Sequence, residues 1–134
     1  MTIPNWGPVR SCMRTDVTEV DGRLDVLSAL KLMKKAGATS LMVKRRDEND
    51  EYGMLLFSDI AKKVIAENRA PERVNVYEIM AKPVLTVRPD MDIRYCARLF
   101  ENFGISHAPV VENGEIIGIV SYYLLVLQGL PDLD

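Results

Sequence analysis

The sequence predicts an α/β (α+β) fold made of two tandem β-α-β-β-α repeats, packed sheet to sheet with pseudo-twofold symmetry. Three observations lead there. The chain registers on itself at an offset of 67, the spacing of Val17 and Val84. Each copy holds one amphipathic helical stretch closed by a glycine. Each then continues into two short apolar runs joined by a turn or a charged loop.

At that offset Val9 falls on Val76, Met13 on Met80, Val20 on Val87, Asp25 on Asp92, Leu32 on Leu99, Gly37 on Gly104 and Val43 on Val110. No gap is needed as far as Lys44. Beyond it, Gly53 meets Gly118 only if the loop Arg45–Tyr52 is two residues longer than its counterpart, a change that loop tips tolerate. The repeats span residues 9–67 and 76–128, with Asn68–Asn75 and its Pro71 as the connection. That connection is too short for two independent domains, and 134 residues suit one module of ordinary size.

Each element has a local cause. A short extended piece, Val17–Val20 or Val84–Val87, opens the unit. Val26, Ala29, Leu30 and Met33, and likewise Ile93, Cys96, Ala97 and Phe100, follow i, i+3, i+4, i+7 spacing and give both helices the same inner face. Gly37 and Gly104 stand where a left-handed residue ends a helix. Strands follow at Leu41–Lys44 and Ala108–Val111, and Asn113-Gly114 predicts a tight hairpin into Ile116–Val120. The first copy reaches Met54–Phe57 through its longer loop. Ser58 then offers an N-cap and Asp59 a first-turn acid for a helix carrying Ile60, Val64 and Ile65.

Composition excludes several classes. Seventeen basic against 19 acidic side chains give no field that attracts nucleic acid. The run Lys44-Arg45-Arg46 reads as a solvated hairpin end, because Asp47, Glu48, Asp50 and Glu51 follow it. No apolar run approaches the ~20 residues of a membrane span, and Met1–Trp6 lacks the pattern of a signal peptide, so no membrane and a cytoplasmic location are expected. Cys12 and Cys96 read as reduced structural thiols rather than a disulfide or metal pair.

The repeat resembles the paired cystathionine-β-synthase-type domains, the CBS-domain pair or Bateman module, over Val9 to about Leu127. The likeness rests on Val76-Tyr77-Glu78-Ile79-Met80 before Pro83-Val84-Leu85-Thr86-Val87, on Gly104-Ile105-Ser106-His107-Ala108-Pro109-Val110-Val111, and on Gly118-Ile119-Val120-Ser121. It implies a regulatory module that binds an adenosine-containing nucleotide in a cleft between two CBS repeats. AMP is the leading candidate, with ADP, ATP, NAD and S-adenosylmethionine in the same class. It also implies a homodimer and a regulated partner protein, which the sequence leaves unknown.

In that family a Thr/Ser-x-x-Asp segment of one repeat and the Ser-x-x-Pro strand entry of the other build each cleft, the acid accepting hydrogen bonds from the ribose hydroxyls. Carried over, the preferred site joins Asp59 to Ser106, His107 and Pro109. Met54, Val84, Leu85 and Ile105 would sandwich the adenine and offer it backbone groups, with Met54, Val84 and Leu85 core residues in any case, and Ser58 would lie near the sugar. His107 stands where a basic phosphate contact is often found, and a phosphate there would favour its imidazolium. The motif is broken in opposite ways: Leu56 replaces the hydroxyl before Asp59, whereas Ser121 keeps the hydroxyl and Leu124 replaces the acid. A mirror cleft from Val17, Thr39, Ser40, Ile119 and Ser121 is expected to be the weaker or empty one.

Two other functions compete. With one histidine, no Gly-rich phosphate loop and no metal-ligand spacing, no catalytic residues are expected and the chain does not read as an enzyme. A ligand-free CBS-pair interaction or dimerisation module stays open, since both Ser/Thr-x-x-Asp motifs are incomplete. In that alternative Asp59 is simply a first-turn acid and His107 a core-edge side chain. The tails Thr2–Pro8 and Gly129–Asp134 are left as candidate partner contacts, and Trp6 either packs on the module or anchors a partner.

Overall fold

In a computed structural model of the chain, which describes residues 6–130, the backbone forms two compact units. The continuous unit is Thr18–Val84, and the split unit takes the chain up to Val17 together with the chain from Leu85 onward. Trp6 packs on the core of the split unit. The outermost residues of both tails lie outside the described residues.

In the continuous unit, β1 (Glu19–Val20) pairs in parallel with β2 (Ser40–Val43), which pairs antiparallel with β3 (Gly53–Leu56). Helix α1 (Val26–Ala36) lays Val26, Ala29 and Met33 fully into the core. Asp25 caps it by accepting the Ser28 N–H at 2.9 Å. Gly37 closes it at φ 63°, where a side chain would be strained. Helix α2 (Phe57–Ile60) runs on into a π-helical turn, Ala61–Ile65. Ile60 and Val64 face the core as expected, but Ile65 is 72% exposed. Being next to Val64 on the turn, it points away from the face they share.

The split unit repeats this plan. Helix α4 (Ile93–Phe103) buries Ile93, Cys96 and Phe100 and ends at Gly104, also at φ 63°. β4 (His107–Glu112) and β5 (Glu115–Ser121) form a hairpin around Asn113-Gly114, both in the left-handed region, and α5 (Tyr122–Leu127) follows. The extended openings are shorter than expected. Val17 and Val84 are in no strand, and in the second copy only Val87 bridges, in parallel to Val110. That bridge is the image of Val20 beside Val43 at the 67-residue offset.

Each unit is completed by a segment from the other sequence repeat. In the continuous unit the segment is Asn75–Ala81, which includes α3 (Val76–Ile79); in the split unit it is Pro8–Arg14, with a 3-10 turn at Val9–Ser11. The hydrogen bonds match pair by pair. Val76 N–H donates to Leu24 O and Val9 N–H to Met91 O, both at 2.8 Å; Tyr77 N–H donates to Gly22 O and Arg10 N–H to Pro89 O, both at 2.9 Å. Val26 N–H donates to Val74 O at 2.8 Å, and Ile93 N–H to Gly7 O at 3.0 Å. Those last two satisfy amides that have no partner inside their own helix. The segment also pairs with a sheet edge, Ala81 with Met54 and Arg14 with Ile119. The spans 9–67 and 76–128 are therefore repeats of sequence, and the compact units are cut elsewhere.

The two cores are apolar and fully formed. Cys12 and Cys96 are free and buried in the split unit, where burial raises both thiols, Cys96 to about 12. They stay protonated at neutral pH. Where the exchanged segments cross the sheets they leave no space for a side chain. A Cβ on Gly118 would stand 2.7 Å from Met13 Sδ and 2.9 Å from the Arg14 carbonyl oxygen. On Gly53 it would stand 2.6 Å from Met80 Sδ but 3.3 Å from the Ala81 carbonyl. A methionine tip can move aside and a paired backbone carbonyl cannot. Gly118→Ala is thus expected to cost about 1–3 kcal/mol and Gly53→Ala under about 1 kcal/mol. Urea unfolding of both variants checks the order, and an equal or reversed cost contradicts this packing.

Candidate functional site

The Asp59 segment is placed by the end of β3. The strand stops at Leu56, which is the N-cap of α2 with extended backbone (φ −114°, ψ 158°). Asp59 is the third helical residue, and its Oδ2 accepts the Leu56 N–H at 2.9 Å. Its Oδ1 lies 4.0 Å from Lys63 Nζ, and the side chain is 17% exposed. Ser58 is therefore not the N-cap expected from sequence. It sits exposed in the first helical turn, because the strand ends two residues earlier than a serine cap requires.

Met54 takes the core place expected of it, but its backbone is not free. Its side chain is 3% exposed, and its N–H and C=O exchange hydrogen bonds with Ala81, both at 2.9 Å. It has a place in the core, with its backbone engaged by the exchanged segment rather than offered to an adenine. Val84 is half-buried at the end of the same unit. Ser40 is half-buried and lies opposite Leu56 in the β2–β3 register, and Thr39 is exposed just before it.

In the split unit, Ser106 and His107 enter β4 with Ser106 Oγ 2.8 Å from His107 Nδ1. His107 is half-buried and lies opposite Ser121. Pro109 is buried opposite Ile119, and its carbonyl accepts the Val87 N–H at 3.0 Å. Ile105 packs against the core, whereas Leu85, expected in the core, is 40% exposed because the chain forms no strand there, and Val17 is half-buried. Ser121 is the N-cap of α5, and its Oγ accepts the Leu124 N–H at 3.3 Å. Residues assigned from sequence to two different clefts thus stand across from each other on one ladder, His107 with Ser121 and Pro109 with Ile119.

The incomplete motifs acquire a common physical meaning. Ser/Thr-x-x-Asp has the spacing of a capping box, in which the N-cap hydroxyl and the N3 acid each accept the other's backbone N–H. Leu56 and Asp59 keep the acid half of this exchange, and Ser121 and Leu124 keep the hydroxyl half. The sequence shows both gaps and offers Asp59 as a first-turn acid of its own helix, but it does not show that Ser121 caps the helix it begins.

Electrostatics separates the two polar centres. Burial lowers the His107 pKa from its usual value near 6.5, so the neutral imidazole is favoured at pH 7. This is opposite to the shift a bound phosphate would cause. The continuous unit holds a further ion cluster that the sequence had placed in a solvated loop. Asp50, its side chain 8% exposed, accepts from Lys82 at 2.7 Å and Arg46 at 2.9 Å. The Arg46 and Lys82 hydrogen bonds hold its carboxyl well below the ordinary range. Among the described residues no three His, Cys, Asp or Glu gather as a metal site, and no helix is long and apolar enough to cross a membrane.

Comparison with known proteins agrees with this architecture. The CBS domain family matches residues 76–126. The hexameric CBS-CP12 protein from bloom-forming cyanobacteria superimposes with a TM-score of 0.88 at 36% identity, covering 91% of this chain and 70% of that one. A homoserine O-acetyltransferase of Methanosalsum zhilinae is 35% identical over 113 residues, 84% of this chain but 22% of the enzyme. The CBS domain pair of protein MJ0100, in complex with 5′-methylthioadenosine and S-adenosyl-L-methionine, shares the fold at 24% identity and a TM-score of 0.73, over 87% of this chain and 93% of that one. The chain spans less than half the length of the first curated relatives it matches. It belongs to the CBS-domain family.

The sign of the His107 shift has a measurable consequence. Between the unfolded pKa near 6.5 and the lower folded one, the unfolded state binds the extra proton, so stability falls as pH drops through this window. With a single histidine in the chain, a proton NMR titration of the ring is unambiguous. A midpoint below 6.5 is expected in the ligand-free protein, and one at or above 6.5 contradicts the burial described.

Proposed function

We propose that the chain is a regulatory module without catalytic activity that binds an adenosine-containing ligand. The observation that carries this reading is Asp59, a carboxylate held in place through one oxygen by the Leu56 amide. Its other oxygen stands beyond hydrogen-bond distance from Lys63. A fixed carboxylate with acceptor capacity to spare suits a pair of ribose hydroxyls. Family membership supports the same reading, as do the two adenosine compounds in the MJ0100 complex. Within this proposal Val84 of the continuous unit and Leu85, Ile105, Ser106, His107 and Pro109 of the split unit are further candidate ligand contacts, each in its own unit.

AMP is the leading ligand, because Ser106 Oγ and the His107 ring can both meet a phosphate. A phosphate there must first return a proton to a ring that burial keeps neutral. AMP binding should therefore take up a proton near pH 7. Output belongs to a second copy of the chain or to another protein. Tyr123, 69% exposed, and Val126, 52% exposed, on α5 support a protein-facing surface there.

The competing reading, an interaction module without ligand, is favoured by the caps. Asp59 Oδ2 and Ser121 Oγ each already serve their own helix. A calorimetric and thermal-shift panel of adenosine, AMP, ADP, ATP, NAD and S-adenosylmethionine separates the two. The proposal expects at least one ligand to stabilise the wild type, by about 2.7 kcal/mol at one hundred times Kd. Asp59→Ala is expected to weaken that ligand about tenfold or more through lost charged hydrogen bonds. His107→Ala should weaken AMP more than adenosine. No response from the wild type favours the ligand-free reading, and an Asp59→Ala response equal to the wild type's overturns the assignment of Asp59 to the ligand.

A further inference from the structure

The continuous unit contains a cavity of about 830 Å³ at the far end of its sheet from Asp59. The β2–β3 register fixes that separation. Ser40 faces Leu56 at the Asp59 end, and Val43 faces Gly53 at the other, where the cavity opens. Its lining brings Arg23, Lys44, Arg45, Arg46 and Lys82 together with one acid, Asp21. Val43, Tyr77 and Met80 supply apolar wall.

The charge is only partly compensated. Arg23 pairs with Asp21 at 2.9 Å. Arg46 and Lys82 share the one carboxylate of Asp50, which is not itself in the lining. Among the described residues Lys44 and Arg45 make no ion pair; Arg45 instead lies 4.8 Å over the Tyr52 ring. Five cations thus face two carboxylates around one opening. The acids Asp47, Glu48 and Glu51, which suggested a self-neutralised loop, do not line it.

The internal repeat supplies a control. At the 67-residue offset Lys44 becomes Val111, Arg45 becomes Glu112, Arg23 becomes Asp90 and Lys82 becomes Thr15, while Asp21 becomes Arg88 and Tyr77 becomes Arg10. In the split unit those charges cancel in pairs: Arg10 meets Glu112 at 2.6 Å and Arg88 lies 3.7 Å from Asp90. The same backbone therefore does not require a basic cavity. Like charges gathered without need repel one another and favour a multivalent anion between them.

We propose that this cavity is a second ligand site, separate from Asp59, that takes a polyphosphate chain. Lys82, anchored by Asp50 and 23% exposed, would be its fixed cation, with Lys44 and Arg45 closing from the rim. Arginine and lysine together suit phosphate oxygens. The volume also accommodates an organic group on the phosphates, so the source is either inorganic polyphosphate or the tail of a nucleoside triphosphate.

Isothermal titration of the full chain with inorganic tripolyphosphate, ATP and AMP tests this independently of the adenosine reading. The expected result is one tripolyphosphate per chain, weakening as salt rises. The affinity should fall about tenfold or more in Lys44→Ala/Arg45→Ala. It should change less than twofold in Lys34→Ala/Lys35→Ala, which removes the same charge from the exposed end of α1, and in Asp59→Ala. Equal tripolyphosphate and ATP affinity assigns the inorganic chain, and tighter ATP that still depends on Lys44 and Arg45 assigns the nucleotide tail. No tripolyphosphate binding, equal losses in the two double variants, or binding of a single-stranded oligonucleotide alone overturns the proposal. Failure of Asp59→Ala to affect AMP leaves it intact.

Discussion

The docking of one short segment onto each unit is the constraint on which the rest of the structure depends. Val9 and Val76 are fully buried, and burying a valine contributes about 1.5–3 kcal/mol. Their amides, and those of Arg10 and Tyr77, end on carbonyls of the turn that leads into α4 or α1. The carbonyls of Gly7 and Val74 in turn receive the first amides of those helices. Arg14 and Ala81 then pair with β5 and β3, covering edges that would otherwise present open backbone. Helix start, sheet edge and core closure thus share one cause in each unit. The close fit at Gly53 and Gly118 records the same contact from the sheet side.

Duplication conserved this scaffold and released the side chains around it. The two copies keep the parallel bridge, the glycine C-cap and the aspartate N-cap, all set by backbone geometry. They differ where side chains meet solvent. One copy keeps the acid of a capping box and the other its hydroxyl; one surrounds a sheet end with cations and the other pairs Arg10 with Glu112 and Arg88 with Asp90. A residue that caps its own helix is also held in one orientation, so structural and ligand roles for Asp59 are compatible. The cap fixes Oδ2 and leaves the carboxylate aimed.

Much of the fold was legible in the sequence because its signals are local. The i, i+3, i+4, i+7 spacing of Val26 to Met33 and the glycines after α1 and α4 state helix and end directly. Asn113-Gly114 states the hairpin. The exchange of the leading segments was not legible, since a run such as Val9 to Met13 records that it is buried but not which repeat buries it. Ser58 misled for a related reason: serine is a good cap, yet the N-cap is decided by where β3 ends, and hydrophobic Leu56 holds that position. Met54 was rightly placed in the core, while the engagement of its backbone by Ala81 depends on the same exchange. The basic run at Lys44 has four acids nearby in sequence, but among the described residues Asp50 is the one that turns back into an ion pair with it.

The most direct measurement is native-state hydrogen exchange at the Val9 and Val76 amides. If the exchanged segments hold each unit together, both amides open only with the core. Their protection should then match that of the Met42 and Val87 amides, which bond within the parallel pairs at 3.0 Å. Val9 is the sharper case, because its segment joins a unit whose remainder begins only at Leu85. Exchange of Val9 as fast as a frayed end, with Met42 and Val87 still protected, would contradict the account.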